Sequence, residues 1–105
     1  MTGIDDLLGR IEALQRHDLE AWIGEELVAP REEAGALVFS EMECARVRLI
    51  CTLRYDLEIE AGALPVILSL IDQLYDTRQQ LMALTAAVAK QDEAVREAVV
   101  RAMRE

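Results

Sequence analysis

Apolar residues recur at helical spacing through the first quarter of the chain and predict two helices. The first should run from Ile4 to about Arg16, because its apolar residues fall on one helix face. That face comprises Ile4, Leu7, Leu8, Ile11 and Leu14. The second, shorter helix lies between His17 and Val28, with an apolar stripe of Leu19, Trp22, Ile23 and Leu27. We therefore predict that Trp22 is a core residue and that Asp18, Ala21 and Glu25 face outward.

A turn signal and a capping signal follow. Pro30 should end the second helix, because the residue before a proline is driven toward extended geometry. The segment from Arg31 to Phe39 predicts a small hairpin with Gly35 in its turn, and we interpret Arg31 as a residue that pins this hairpin. Ser40 and Glu43 form a capping box at the start of the next helix. The expected core face of that helix is Met42, Ala45, Leu49 and Leu53, flanked by Cys44, Ile50 and Cys51.

The last third of the chain predicts a long helix with a nearly heptad apolar seam. Pro65 suits its first turn, where the missing N–H has no helical partner. The seam comprises Ile67, Leu70, Leu74, Leu81, Leu84, Val88 and Val95. It weakens at Thr77 and Gln91. We favour one continuous helix over the alternative of two helices, broken at Lys90–Glu93 with Asp92 as a new N-cap.

These elements define a mostly α protein with two parts: a winged helix-turn-helix-like module over residues 1–63 and a long helix or helix pair over residues 64–105. A helix of this length extends about 50 Å at 1.5 Å per residue, more than so small a module can cover. The exposed seam predicts a partner. A second copy is the simplest one, so we expect a homodimer.

Composition limits the classes of function. Hydrophobic residues make up 52% of the 105 residues and aromatic residues only 4%, so the core must be aliphatic, which favours helices. Cys44 and Cys51 lie two helical turns apart, too far for a disulfide, and we expect reduced, buried thiols in a cytoplasmic protein. With His17 as the only histidine, we expect no metal site and no cofactor. The first residues lack the basic start and apolar run of a signal peptide, and no apolar run is long enough to span a membrane, so we expect neither feature.

The acidic charge is unevenly distributed. The chain has 20 acidic residues and 11 Lys and Arg residues, a net charge of −9. Residues 1–35 hold nine acids against three bases, residues 36–72 hold six against three, and residues 73–105 hold five against five. DNA affinity rests mainly on cations that neutralise phosphates, so this charge favours a basic protein partner over a duplex. The alternative is that the acids only keep the surface solvated.

Three runs of sequence resemble the CbpM-type chaperone modulators, which have a MerR-like helix-turn-helix fold. The runs are "ELVAPRE", "FSEMECARVRLICTLRYDLEI" and "ALPVILSLIDQL", and the resemblance covers roughly Leu19 to Leu84. The DNA-binding MerR proteins match only in outline. Their wing has a tyrosine and an arginine where this chain has Ala36 and Leu37, and "AWIGEEL" replaces their basic aromatic helix motif.

The resemblance implies a dimeric protein that binds the J-domain of a DnaJ/CbpA-like co-chaperone and blocks its stimulation of the Hsp70 DnaK. It does not identify binding residues position by position. From charge and expected exposure we predict the partner-binding residues Asp5, Asp6, Asp18, Glu20, Glu25 and Glu26. A MerR-like transcription regulator is the alternative, although the chain lacks a basic helix or wing. An enzyme is not expected, because His17 and Asp18 are helix neighbours that point in different directions.

Overall fold

The computed structural model describes residues 2–105 as a helical protein with a small sheet. Its elements, in chain order, are β1 (Thr2–Gly3), α1 (Ile4–Arg10), α2 (Arg16–Gly24), β2 (Arg31–Glu33), β3 (Ala36–Phe39), α3 (Glu41–Cys51), a π-helical turn (Thr52–Asp56), a 3₁₀ turn (Ala61–Ala63), α4 (Leu64–Ala89) and α5 (Glu93–Met103). The chain divides into two compact units, the first ending at Leu68 and the second beginning at Ser69.

The predicted hairpin is confirmed. Strands β2 and β3 pair antiparallel, with Arg31 opposite Val38. Ala34 and Gly35 form the turn, and both have positive φ, 50° and 80°. This is the backbone of a type I′ turn, whose twist matches that of the strands. The structure adds β1 on the other side of β3, with Thr2 opposite Phe39, so the sheet order is β1-β3-β2. A two-residue strand is too short to leave a periodic signal in the sequence.

The first helix is shorter than predicted. It ends at Arg10 rather than near Arg16, and Ile11 has extended geometry, with φ −109° and ψ 97°. Leu14 is nevertheless buried, because the turn after α1 brings it into the core. The apolar spacing therefore indicated correctly that Leu14 faces inward, but it could not distinguish a continued helix from a turn. The second helix begins at Arg16 and ends at Gly24, with Leu19 and Trp22 buried as predicted.

The core of the first unit is aliphatic with two aromatic residues. Its side chains come from every helix of this unit and from β3. The buried apolar residues are Leu7, Leu14, Leu19, Trp22, Leu27, Val28, Phe39, Cys44, Val47, Ile50, Cys51, Leu53, Leu64 and Leu68. Leu64 and Leu68 belong to α4, so the first turns of α4 are part of this core. This explains why the first unit extends past residue 63, where the sequence suggested a boundary.

The predicted core face of α3 is wrong in part. Leu53 is buried as predicted and Leu49 is half-buried, but Met42 is 74% exposed and Ala45 is exposed. The buried residues of α3 itself are Cys44, Val47, Ile50 and Cys51. Both sets follow helical spacing, and the buried set is the one that contains both cysteines and two β-branched residues. Ser40 caps α3 as expected, because its hydroxyl accepts from the Glu43 N–H at 3.1 Å. The Glu43 carboxylate does not complete the predicted box; it accepts instead from the Ala29 N–H at 3.1 Å.

The long helix is interrupted, which contradicts the favoured prediction of one continuous helix. Helix α4 ends at Ala89, and α5 begins at Glu93. The Asp92 carboxylate accepts from the Val95 N–H at 3.0 Å and is the N-cap of α5. Two helices with a break at Lys90–Glu93 were the alternative prediction. Within residues 2–105, no helix is both long and apolar enough to cross a membrane.

Candidate protein-interaction surfaces

Side chains of α3 bind the segment that follows α2. The Arg46 guanidinium donates from Nε to the Leu27 carbonyl, and the Glu43 carboxylate holds the Ala29 N–H. Both contacts fix the segment that leads from α2 into the hairpin. With Leu19 and Trp22 buried beneath it, α2 presents an outward face of His17, Glu20, Ala21 and Gly24.

A tyrosine fixes the start of α2. The Tyr55 hydroxyl donates to Asp18 and accepts from the Gln15 N–H at 3.4 Å. Its ring lies against that of Trp22, with centroids 6.2 Å apart at 44°. Burial, followed by the hydrogen bond to Asp18, raises the pKa of Tyr55 from 10.0 to about 12, and the bond from Gln15 acts in the opposite direction. The neutral hydroxyl is therefore the form that the fold stabilises.

Three of the six predicted partner-binding acids have partners within the protein. Asp5 pairs with Arg16. The Asp6 carboxylate accepts from the Gly3 N–H at 3.2 Å, at the start of α1. Asp18, predicted to face outward, is only 28% exposed and accepts from Tyr55. Its Oδ1 also lies 3.3 Å from His17 Nε2, so these two neighbours do not point apart as predicted. The prediction of an outward Asp18 is wrong, because its place in the first turn of α2 brings its carboxylate against the Tyr55 hydroxyl.

The other three acids, Glu20, Glu25 and Glu26, are exposed. Glu25 is the C-cap of α2, and Glu26 follows it with φ 61°. The Leu27 N–H bonds to the Trp22 carbonyl at 2.9 Å, and the Glu26 N–H bonds to the Ile23 carbonyl at 3.0 Å. These two bonds define a Schellman motif, in which the left-handed position normally holds glycine. Here that position holds a glutamate.

The predicted dimerisation seam is largely exposed. Leu70, Leu74, Leu81 and Leu84 are each 59–66% exposed, and Val95 is 42% exposed. Ile67 and Val88 are half-buried. Sequence reasoning missed five further exposed apolar residues of α4 and α5, which lie outside the predicted heptad positions. They are Val66, Tyr75, Met82, Val100 and Met103.

The two cysteines are buried and unoxidised, as predicted. Burial, followed by the negative charges of Asp18 and Asp56, raises the pKa of Cys51 to about 11. A thiol with so high a pKa is a poor nucleophile at neutral pH. Among residues 2–105, no group of three or more His, Cys, Asp or Glu side chains is positioned to hold a metal ion.

Comparisons with known proteins give no match: no family model fits the chain, and no curated protein or solved structure shows significant similarity to it. The chain is a mostly helical protein with a small antiparallel sheet, an acidic first unit, and a helical second unit that has an exposed apolar seam.

Proposed function

We propose that this protein modulates a J-domain co-chaperone of the DnaJ/CbpA type, binding its J-domain and blocking its stimulation of the Hsp70 DnaK. The proposal rests on the sequence resemblance to CbpM-type modulators. In the structure, the observation that best supports it is the pair of exposed glutamates, Glu25 and Glu26, at the end of α2.

Glu25 and Glu26 both occupy positions at which a glutamate is energetically unfavourable. A residue with a Cβ in the left-handed region costs roughly 1–2 kcal/mol, so glycine or asparagine would suit the Glu26 position better. The C-terminal end of a helix also bears partial negative charge, which repels carboxylates. Residues that break local rules without a structural gain are expected at functional sites. A basic helical surface of a J-domain would compensate both charges.

The charge of the surrounding surface supports the same kind of partner. The outward face of α2 adds Glu20, and the one arginine of this helix, Arg16, is paired with Asp5. A duplex would meet repulsion at this helix. An acidic surface instead speeds encounter with a basic protein and selects it over acidic ones.

The direct test measures ATP turnover by DnaK, stimulated by the J-domain of a DnaJ/CbpA-like protein, with increasing amounts of this protein. We expect stimulation to fall toward the basal rate as this protein saturates the J-domain. Unchanged stimulation at saturating concentrations would rule out the proposed modulator. Nanomolar DNA binding in a mobility-shift assay at low salt would favour the transcription regulator instead.

The Glu26→Gly variant tests whether the end of α2 lies in the J-domain interface. We expect it to stabilise the fold, because glycine adopts this φ without strain, and to weaken J-domain binding about tenfold as a charge is lost. Glu58→Gly is the matched control, since Glu58 is also exposed and left-handed, with φ 55°, but lies outside α2. Equal binding by both variants and the wild type would place the interface elsewhere.

We also propose a homodimer formed through α4 and α5. The exposed leucines, with Tyr75 and Met82 beside them, form an apolar surface that a second copy can bury, and residues 73–105 carry no net charge to oppose pairing. Sedimentation at micromolar concentration should show a dimer for the wild type and a monomer for Leu81→Glu. Ala83→Glu adds the same charge at an exposed position about 200° around the helix from Leu81 and should remain dimeric. A monomeric wild type would contradict this proposal.

A further inference from the structure

A cleft in the first unit brings two arginines together in an otherwise acidic protein. It lies between the end of α1, the turn that follows it, and the side of α3 that continues into the π-helical turn. Its volume is about 360 Å³, and Arg10 and Arg48 both line it. A second cavity of about 210 Å³ is also lined by Arg10 and Arg48, together with Thr2, Glu41 and Cys44. The two arginines therefore share one region of the surface.

The guanidinium groups at this cleft retain free hydrogen-bond donors. Each arginine has five N–H donors. Arg10 uses one of them in a long bond of 3.4 Å to the Thr2 hydroxyl. Arg48 makes no side-chain hydrogen bond or ion pair with any residue in the range 2–105. By contrast, Arg16 is paired with Asp5. The donors of the first two arginines are thus available to a ligand.

The side of the cleft that carries Arg48 continues from α3 into the π-helical turn. The Leu57 N–H bonds to the Thr52 carbonyl at 3.0 Å, five residues back, which widens the turn. Tyr55 and Asp56 of this turn line the cleft, as does Cys51 before it. Single π-helical turns are less favourable than α-helix and occur frequently at functional sites.

We propose that this cleft binds a small molecule with an oxyanion group, a carboxylate or a phosphate, held between Arg10 and Arg48. Arginine is the side chain best suited to such groups, because its planar fork can donate two parallel hydrogen bonds to them. The volume fits a small metabolite rather than a polymer. The carboxylates of Glu12 and Asp56 line the same cleft and can accept from hydroxyl or ammonium groups of the ligand. This site is independent of the proposed J-domain interface.

The test is an NMR titration that follows the arginine side-chain Nε–H signals and the backbone amides of the cleft. Inorganic phosphate and succinate are the probes, each compared with chloride at equal ionic strength. We expect saturable shifts at Arg10 and Arg48 with at least one probe, with a Kd on the order of 1 mM or tighter. Saturation by phosphate alone, or by succinate alone, supports the site and identifies its oxyanion.

Variants separate a built site from general charge attraction. Arg48→Gln, whose parent side chain makes no described contact, should fold normally and weaken probe binding at least about tenfold. Arg48→Lys should also bind more weakly than the wild type, because it keeps the charge but loses the fork. Arg78→Gln makes the same charge change on the exposed surface of α4 and should leave binding unchanged. Shifts that do not saturate with either probe, or equal weakening by Arg48→Gln and Arg78→Gln, would overturn the proposal.

Discussion

Replacing Tyr55 by phenylalanine tests the contact that fixes the start of α2. The change removes one hydroxyl and keeps the ring against Trp22. Two hydrogen bonds are lost: the bond to the Asp18 carboxylate and the longer one, 3.4 Å, from the Gln15 N–H. A hydrogen bond to a charged group contributes about 1.5–3 kcal/mol, but Asp18 is 28% exposed, so water can partly replace the hydroxyl. We therefore expect the free energy of unfolding to fall by about 1–2 kcal/mol.

Urea denaturation followed by circular dichroism measures this loss. For a chain of about this size, each kcal/mol corresponds to roughly 4–8 °C in Tm, so a thermal scan should show a decrease of about 4–16 °C. Tyr75→Phe is the matched control, because Tyr75 is 54% exposed on α4. Its variant should stay within about 0.5 kcal/mol of the wild type.

A double-mutant cycle assigns the loss to the intended contact. Asp18→Ala removes the acceptor, and combining it with Tyr55→Phe should give a coupling energy of about 1 kcal/mol. If Tyr55→Phe is no more destabilising than Tyr75→Phe, or if the two changes at Asp18 and Tyr55 are simply additive, the tyrosine does not hold α2 in the way described.

Three further predictions concern the turns, the cap and the buried titratable groups. Ser40→Ala should lower the free energy of unfolding by about 1 kcal/mol in urea titrations, because α3 loses its N-cap; a change within error would show that the cap is unimportant. Ala34→Asn should raise it by about 0.5–1 kcal/mol, since asparagine tolerates φ 50° better than alanine, and a lower Tm would contradict this. The pKa values of Cys51 and Tyr55 are raised to about 11 and about 12, from 9.0 and 10.0, so the neutral forms stabilise the fold. The stability that these neutral groups contribute is fully present below pH 9 and is lost as pH rises to about 12. Urea titrations from pH 8 to 12 should therefore show a falling free energy of unfolding. A free energy of unfolding that does not change above pH 9 would refute this prediction.

The sequence predicted local features that depend on neighbouring residues. The hairpin, the turn at Gly35, the Ser40 cap, the buried Trp22 and the two reduced cysteines all follow from short-range rules and are confirmed. Each depends on a backbone conformation or an apolar spacing that a few adjacent residues determine. The possible break before Asp92 was also visible, but the apolar seam on both sides of it favoured continuity.

The predictions that were wrong or missing concern contacts between segments that are distant in sequence. Asp18 and Tyr55 are 37 residues apart, and no periodicity within either helix indicates that they meet. The core face of α3 was partly misassigned because two stripes satisfy helical spacing, and only packing against the rest of the fold decides between them. The cleft at Arg10 and Arg48 was missed for the same reason, since its walls come from segments far apart in sequence. Spacing identifies a possible face, but only the fold shows what lies opposite it.

Helix geometry divides the six predicted partner-binding acids into two groups with different physical roles. Asp5 and Asp6 lie in the first turn of α1, and Asp18 lies in the first turn of α2, where the helix dipole favours negative charge. All three also have partners within the protein.

Glu20, Glu25 and Glu26 have neither a favourable position in the helix dipole nor a described partner within the protein. Glu20 lies within α2, and the other two lie at its negative end, with Glu26 in a strained conformation. The three aspartates can be explained by their contribution to the stability of the fold. The three glutamates make no such contribution, and they are exposed. We infer that these three carboxylates, which gain no stabilisation from the fold, are instead stabilised by a bound partner. The proposed interface is therefore reduced from six residues to the three at the middle and end of α2.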